Sequence, residues 1–512
     1  MASSSHALPR SAAGNRNPWL IAVVVSMATF MEVLDTTIAN VSLQHIAGSL
    51  AASQDESTWI LTSYLISNAI ILPISGWLAQ LIGRKRFYMI CVATFTASSF
   101  LCALAPNLPL MLIFRVLQGM GGGGLAPTEQ SIFADTFPPQ KRQLAFAVYG
   151  FTIIVAPAIG PVLGGWLTDT YSWHWIFLIN LPVGTLSLIL IYLLIDEPNA
   201  IRDDTKKFRA NFIFDWLGCV LVASTFGCLQ VVLDRFQQDD GFASLKITIF
   251  FVVTIFSAIS LVVWEWNHPQ PVLDVKLFKT RSFATACGLM FIVGFYIFST
   301  TQLIPQIAQS LLNYDAYDAG RILTLGGLAA AVLMPIAGTI GKKVQPKALL
   351  MTAFIVSGFA FLHMAHLNLE VSGRELALAR VFQMAAMPFL FVTLTTLGYV
   401  GIAPDKSGQA SAIINLMRNL GGSVGVAVAT TVVIWRTQFH HARLAEHVSA
   451  YSPLSDSLLN RGLPAAQAVV QSNAQILSYL DVYWLFGLLA FAIAPFALLL
   501  KTPKPGAQAG GH

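Results

Sequence analysis

Charge is scarce in this chain. Asp, Glu, Lys and Arg make up 11% of its 512 residues, where soluble domains carry about a quarter. The deficit excludes one large water-soluble core. Cysteine is rare too, at 5 residues. All of them (Cys91, Cys102, Cys219, Cys228, Cys287) fall in hydrophobic stretches, which argues against metal ligation in a polar loop and against an extracytoplasmic disulfide. No metal site is expected. HExxH, a nucleophile elbow and a phosphate-binding glycine loop are also missing, so neither an enzyme nor a bound cofactor is expected. The run Gly121–Gly124 lies inside a hydrophobic span rather than after a strand, and reads as helix packing. With no ATP-binding segment, an ion gradient is the remaining energy source. No basic face with interleaved aromatics stands out, which argues against a nucleic-acid partner.

Hydrophobicity is abundant, at 55% of residues, with a mean hydropathy of +0.66. Fourteen stretches reach the roughly 20 apolar residues a membrane-crossing helix needs. They lie near 18–40, 57–79, 87–105, 109–134, 143–167, 175–195, 213–233, 246–266, 283–305, 319–341, 347–366, 375–399, 409–434 and 479–500. The first follows a polar stretch without a cleavage site and reads as a retained helix. With the N-terminus inside, 20 of the 30 Lys and Arg fall on the cytoplasmic side, 7 on the other, and 3 within spans. This positive-inside bias puts both termini in the cytoplasm.

The chain also repeats itself. Arg115-Val116-Leu117-Gln118 returns 265 positions later as Arg380-Val381-Phe382-Gln383, and Pro139 and Lys141 return as Pro404 and Lys406. A basic turn after span two, Gly76–Arg86, is echoed by Gly338–Lys343 after span ten. The expected fold is an all-α integral membrane protein of two six-helix bundles with two inserted helices. Its parts are a tail (1–17), a first bundle (18–195), a linker with the two extra helices (196–282), a second bundle (283–500) and a tail (501–512). The longest outer loop is expected at 435–478, where Thr437–His447 could form an amphipathic helix. A duplicated bundle with a buried arginine in each half is the plan of a secondary transporter.

Several motifs resemble the major facilitator superfamily, and within it the fourteen-span drug:proton antiporters of the EmrB and QacA type. The resemblance covers about residues 18–500. Span one carries Leu34-Asp35-Thr36-Thr37-Ile38-Ala39-Asn40-Val41, with Gln44 where the family has proline. The loop after span two resembles GxLADrxGrkr, with Gln80 in place of the acid. Span five holds Ala156-Pro157-Ala158-Ile159-Gly160-Pro161-Val162-Leu163-Gly164-Gly165, similar to the antiporter motif, and Trp173–Pro182 and Phe214–Gly218 are typical of the fourteen-span branch. The resemblance implies proton-motive-force-driven export of hydrophobic or amphiphilic toxic compounds across the bacterial inner membrane. It also implies work with a periplasmic adaptor and an outer-membrane channel. A facilitator or exporter of one metabolite or siderophore is the alternative, and sodium could replace the proton.

Charges inside the spans single out the site residues. An ionised side chain at mid-bilayer costs roughly 2.5–3.5 kcal/mol on insertion scales, so it faces a cavity or a partner. Asp35 and Glu32 share one helix face. Two acids facing one cavity repel each other's charge, a physical basis for carrying a proton. A structural hydrogen bond is the other reading of Asp35, and shaping the drug pocket that of Glu32. Arg115 needs an acceptor across the bundle; the resemblance implies that it tunes proton transfer, and an inter-helix clamp is compatible. Arg380 and Arg418 are expected to be structural. Glu129, Phe30, Met31, Tyr64, Gln118 and Tyr296 are candidates for the substrate pathway, with interfacial snorkelling the other reading of Glu129. Gly160 to Gly165, with Pro157 and Pro161, strip one helix face for tight packing and a kink; the resemblance implies a seal between the bundles. Gly76 and Gly83 permit a close helix turn, and Arg84, Lys85 and Arg86 hold it at the cytoplasmic face.

Overall fold

A computed structural model describes residues 17–197, 199–210, 212–341, 343–447 and 463–500. Among the described residues, fourteen helices are long and apolar enough to cross a bilayer. Spans 1 to 6 are Pro18–Val41, Glu56–Ile82, Arg84–Ala103, Leu108–Thr136, Gln140–Thr170 and Trp175–Leu194. Spans 7 and 8 are Trp216–Arg235 and Leu245–Asn267. Spans 9 to 14 are Arg281–Ser310, Tyr317–Ile340, Pro346–Met364, Gly373–Gly398, Ser407–Glu446 and Leu463–Leu499. Helix suits lipid because each span bonds its own backbone. Side-chain caps mark several starts: Asn107 caps span 4, and Ser372 with Glu375 forms a capping box on span 12.

Spans 4 and 12 are both broken near the middle. Leu108–Gly122 gives way to Leu125–Thr136, and Gly373–Ala385 to Met387–Gly398. Glycines loosen the first break, and Pro388, unable to donate a backbone bond, starts the second segment. The breaks fall at matching places in the repeat.

The largest departure from expectation is on the non-basic side. Span 13 continues past 434 to Glu446, and span 14 begins at Leu463 rather than near 479. Residues 448–462 lie outside the described residues, as do the tails at 1–16 and 501–512. Hydropathy marks only the part of a helix that meets lipid. No glycine or proline interrupts 426–447, so the helix runs on into water. The two extensions hold each other: Thr437 Oγ1 meets Ser478 Oγ at 2.8 Å, and Asp481 Oδ2 accepts from Arg436 Nε at 2.5 Å with His440 Nε2 2.7 Å away.

Spans 7 and 8 pack on each other, with Thr225 Oγ1 donating to Ser257 Oγ at 3.0 Å. Span 7 lies along the seam between the bundles. Its Gly227 faces Ile66 and Ile70 of span 2. Its Gln230 accepts from Ser423 of span 13 at 3.1 Å, and Gln237, just beyond it, donates to Thr431 at 2.5 Å. Span 8 leaves Ile249, Val252, Phe256 and Ile259 exposed to lipid. The short helix Asn199–Ala210 binds the end of span 2, where Arg209 donates to the Leu81 and Ile82 carbonyls at 2.6 and 3.0 Å.

The bundles close at their basic end. Gly76 of span 2 packs on the backbone of Gly408 and Gln409, leaving no room for a Cβ. Gln80 Nε2 donates to the Asp405 carbonyl at 2.8 Å. Arg84 pairs with Asp135 and donates to Ser407 Oγ at 3.1 Å. Deeper in, Ser411 Oγ donates to the Pro127 carbonyl at 2.6 Å, Asn415 Nδ2 to Gln130 at 2.9 Å, and Tyr149 to Asn415 Oδ1 at 2.7 Å. Residues 407–416 of span 13 are buried throughout, and half-buried positions recur from 417 onward. The basic turn therefore does more than signal topology: it joins the two bundles at this end.

Candidate functional site

Span 1 carries acids at successive depths, and the most buried is Asp35, 2% exposed. Arg115 Nη1 donates to its Oδ2 at 2.8 Å. Its Oδ1 accepts from Gln118 Nε2 at 3.0 Å and from Asn180 Nδ2 at 2.6 Å. Four donated bonds organise the rest of the cluster: Arg115 Nη1 to Gln118 Oε1 (2.7 Å), Arg115 Nε to the Ile60 carbonyl (3.0 Å), Asn180 Nδ2 to Ser99 Oγ (2.9 Å), and Ser99 Oγ to the Phe177 carbonyl (3.0 Å). The guanidinium also lies 4.5 Å from the Tyr64 ring centroid, a cation–π contact strengthened by the dry surroundings. Spans 1, 2, 3, 4 and 6 thus converge on one ion pair. Gly119 permits it, because a Cβ there would strike the Tyr64 carbonyl and Ser67 of span 2.

The physical meaning lies in the charge balance. A carboxylate and a guanidinium removed from water hold each other only while both are charged and hydrogen-bonded. Protonating Asp35 would leave Arg115 buried without its counter-charge. Any proton arriving here therefore changes what spans 1 and 4 hold in common.

Glu32 lies one turn nearer the basic end, half-buried. Its Oε1 accepts from Tyr64 Oη at 3.0 Å and Asn68 Nδ2 at 3.2 Å. Glu129 follows deeper still. It is fully buried and accepts from Ser26 Oγ at 2.5 Å. The interfacial reading of Glu129 is corrected: every residue of Leu125–Thr136 except Asp135 is buried, because the break at Gly123 and Gly124 delivers this segment into the bundle. Arg418 of span 13, read from sequence as structural, reaches across the seam. Its Nη1 donates to Tyr149 Oη at 2.6 Å.

The other expected site residues divide. Tyr64 and Gln118 belong to the acid network. Met31 packs with Tyr64 and Phe95 inside the first bundle. Tyr296 sits among Phe361 and Phe486 in the second, its hydroxyl 3.4 Å from the Phe486 carbonyl. Neither faces the seam. Phe30 is half-buried against the cluster that holds Leu34 and Ile38. In span 5, Gly160 and Gly164 pack on Thr37 and Ile38 of span 1, while Gly165 faces open space. The kinked stretch at Pro157 and Pro161 meets span 10, where Thr324 Oγ1 donates to the Ala158 carbonyl at 2.7 Å and Gly320 abuts Val162. Gly83 adopts φ +96°, the left-handed region open to glycine. Lys85 Nζ donates to the Tyr192 carbonyl at 2.9 Å, and Arg86 is exposed.

Sequence reasoning missed Asn180 and the reach of Arg418. Asn180 stands in the run Trp173–Pro182, already conspicuous for its motif, but nothing in its neighbours announces a carboxylate partner.

Comparison with known proteins agrees with this architecture. Residues 25–426 match the model of the Major Facilitator Superfamily. The chain is 36% identical to the multidrug export protein EmrB of Haemophilus influenzae, covering 91% of this chain and 92% of that one. It is 33% identical to EmrB of Escherichia coli K12, covering 93% and 96%. Among solved structures, the human organic anion transporter MFSD10 superposes with a TM-score of 0.58 at 15% identity, over 94% of this chain and all of that one. Fourteen spans in two broken-helix bundles, the buried ion pair and these matches establish that the chain belongs to the major facilitator superfamily.

Proposed function

We propose that this multi-pass protein of the bacterial inner membrane exports varied hydrophobic and amphiphilic drugs in exchange for protons. The observation that carries the reading is the Asp35–Arg115 pair, buried from solvent with both carboxylate oxygens hydrogen-bonded, within a bundle whose basic end is shut. The similarity to multidrug export proteins supports the cargo class.

In this reading the basic end is cytoplasmic and the present shape faces outward. A proton entering from outside neutralises Asp35 and releases Arg115 from it. Measured along span 1 from Asp35, Glu32 lies about 4.5 Å and Glu129 about 13.5 Å further on, counting Ser26 as the level of Glu129 and about 1.5 Å per residue. They offer successive resting places for the proton toward the cytoplasm. Loss of charge at these positions weakens what Arg418 holds across the seam, and the gate at Gly76 and Arg84 parts. Drug then enters from inside and drives the proton off, since the site cannot hold both cargoes equally well.

Everted membrane vesicles test this. Ethidium added to energised vesicles should release protons in the wild type, and Asp35→Asn should release none while remaining in the membrane. Uptake that ignores the pH gradient would point instead to a facilitator of one metabolite or siderophore. We infer further that the paired extensions of spans 13 and 14 meet a periplasmic adaptor of a tripartite pump. Cross-linking from a photoreactive residue at His441 should capture the adaptor; its absence there would remove this part.

A further inference from the structure

The second bundle contains an almost complete copy of the ion-pair cluster with its acid replaced. At the repeat offset of 265, Asp35 corresponds to Thr300, Arg115 to Arg380 and Gln118 to Gln383. The geometry is conserved along with the positions. Arg380 Nη1 donates to Thr300 Oγ1 at 2.7 Å and to Gln383 Oε1 at 2.7 Å, and Nη2 donates to Thr301 Oγ1 at 3.0 Å. All its partners are neutral. Arg380 is 2% exposed and Gln383 not at all. Arg380 Nε and Gln383 Nε2 have no hydrogen-bond partner among the described residues. In the first bundle the equivalent amide, Gln118 Nε2, donates to the second oxygen of Asp35. The orphaned Gln383 amide and a buried positive charge therefore flank the place where a carboxylate would complete the cluster, while Arg380 Nε matches Arg115 Nε, which in the first bundle donates to the Ile60 carbonyl.

The guanidinium side of that place borders open space. Arg380 lines a narrow cavity between the bundles, walled by Ile154 and Pro157 of span 5, Ile297 and Thr301 of span 9, and Leu323 of span 10. In its present shape the cavity has about 10 Å³ of usable space, room for one water. Its walls come from both bundles, so relative movement of the bundles widens it. An unpaired guanidinium beside apolar walls has the composition of a site for an anionic head with a greasy body.

Resting on the export reading above, we propose that Arg380 and Gln383 form a subsite for the carboxylate, or similar compact anion, of an amphiphilic substrate. The head accepts from the Arg380 guanidinium and Gln383 Nε2, as Asp35 does from Arg115 and Gln118 in the first bundle, and the chain lies along Ile154, Ile297 and Leu323.

The test compares dodecanoate with dodecanol, which share a chain and differ in charge. Binding of each to the purified full-length protein in nanodiscs is measured by tryptophan quenching. Charge-assisted hydrogen bonds of this kind predict a preference for dodecanoate of about tenfold or more. Thr300→Asp supplies the acid from within the chain, next to an arginine already placed to receive it, and should bring the ratio close to one. Arg380→Gln should do the same, and Arg380→Lys should keep part of the preference. Equal binding of the two ligands by the wild type overturns the proposal, as does a preference that survives both Thr300→Asp and Arg380→Gln. Proton-coupled ethidium efflux is scored separately in the wild type. Its failure would sink the export reading and leave the dodecanoate ratio standing, whereas a ratio of one with intact efflux sinks only this inference.

Discussion

Arg115 and Arg380 occupy matching positions of the sequence repeat and sit in different electrostatic settings. Each donates to a glutamine one turn later in its own span, at 2.7 Å in both cases. The first also faces a carboxylate and the second a hydroxyl. A carboxylate can take up and release a proton in the working pH range; a threonine hydroxyl cannot. In the proposed cycle the first cluster can therefore change its charge, while the second keeps a fixed one. Rocking between such unlike halves would give the ion gradient a defined place to act.

Several substitutions would break or sharpen this contrast. Asp35→Asn should have the largest effect, abolishing drug-induced proton release and cellular resistance at unchanged protein level on an immunoblot. Full resistance in that variant would mean the two bundles do not differ in the way described. Arg115→Ala strands a buried carboxylate and should cost about 3–5 kcal/mol of stability. Arg380→Ala strands only neutral groups, so a smaller loss of about 1–3 kcal/mol is expected. Melting of the purified proteins in detergent compares the two, and equal losses would erase the asymmetry. Gly76→Ala should hold the basic end open, because its Cβ would come within 2.7 Å of the Gly408 carbonyl oxygen. Its counterpart Gly338→Ala should do less, with the nearest atom, Leu144 Cα, at 3.2 Å. Thiol labelling of a cysteine at Ser131 reads out both. Gln80→Ala should raise the same labelling rate least, by the loss of one hydrogen bond worth about 1 kcal/mol.

Much of this was legible in the sequence. Scarcity of charge made the spans and the pair Asp35 and Arg115 visible, because a buried charge in lipid must have a reason. The repeat offset that aligns the arginines also leads to Thr300, and so to the altered copy. Facing was harder to read. Met31 and Tyr296 look like pocket residues by type, yet they pack within their own bundles, and in an all-apolar helix no periodic signal distinguishes lipid, core and cavity. The burial of Glu129 is not legible because the span reads as one straight helix through Gly123 and Gly124, which leaves its snorkelling reading open until the break is seen. Gln80 looked like a defect in a charged motif, but its amide donates to a backbone carbonyl across the seam, which needs no charge. The helical stretch after Trp435 escaped notice as a continuation because hydropathy goes quiet where the helix leaves lipid.

That continuation has a mechanical consequence. Ser407–His447 is one helix of 41 residues, about 60 Å from end to end. Its foot belongs to the gate and its tip stands beyond the bilayer. A tilt of about 10° at the foot would swing the tip by roughly 10 Å over that length. In the proposed cycle such a helix would act as a lever arm, turning a small motion at one face into a stroke at the other.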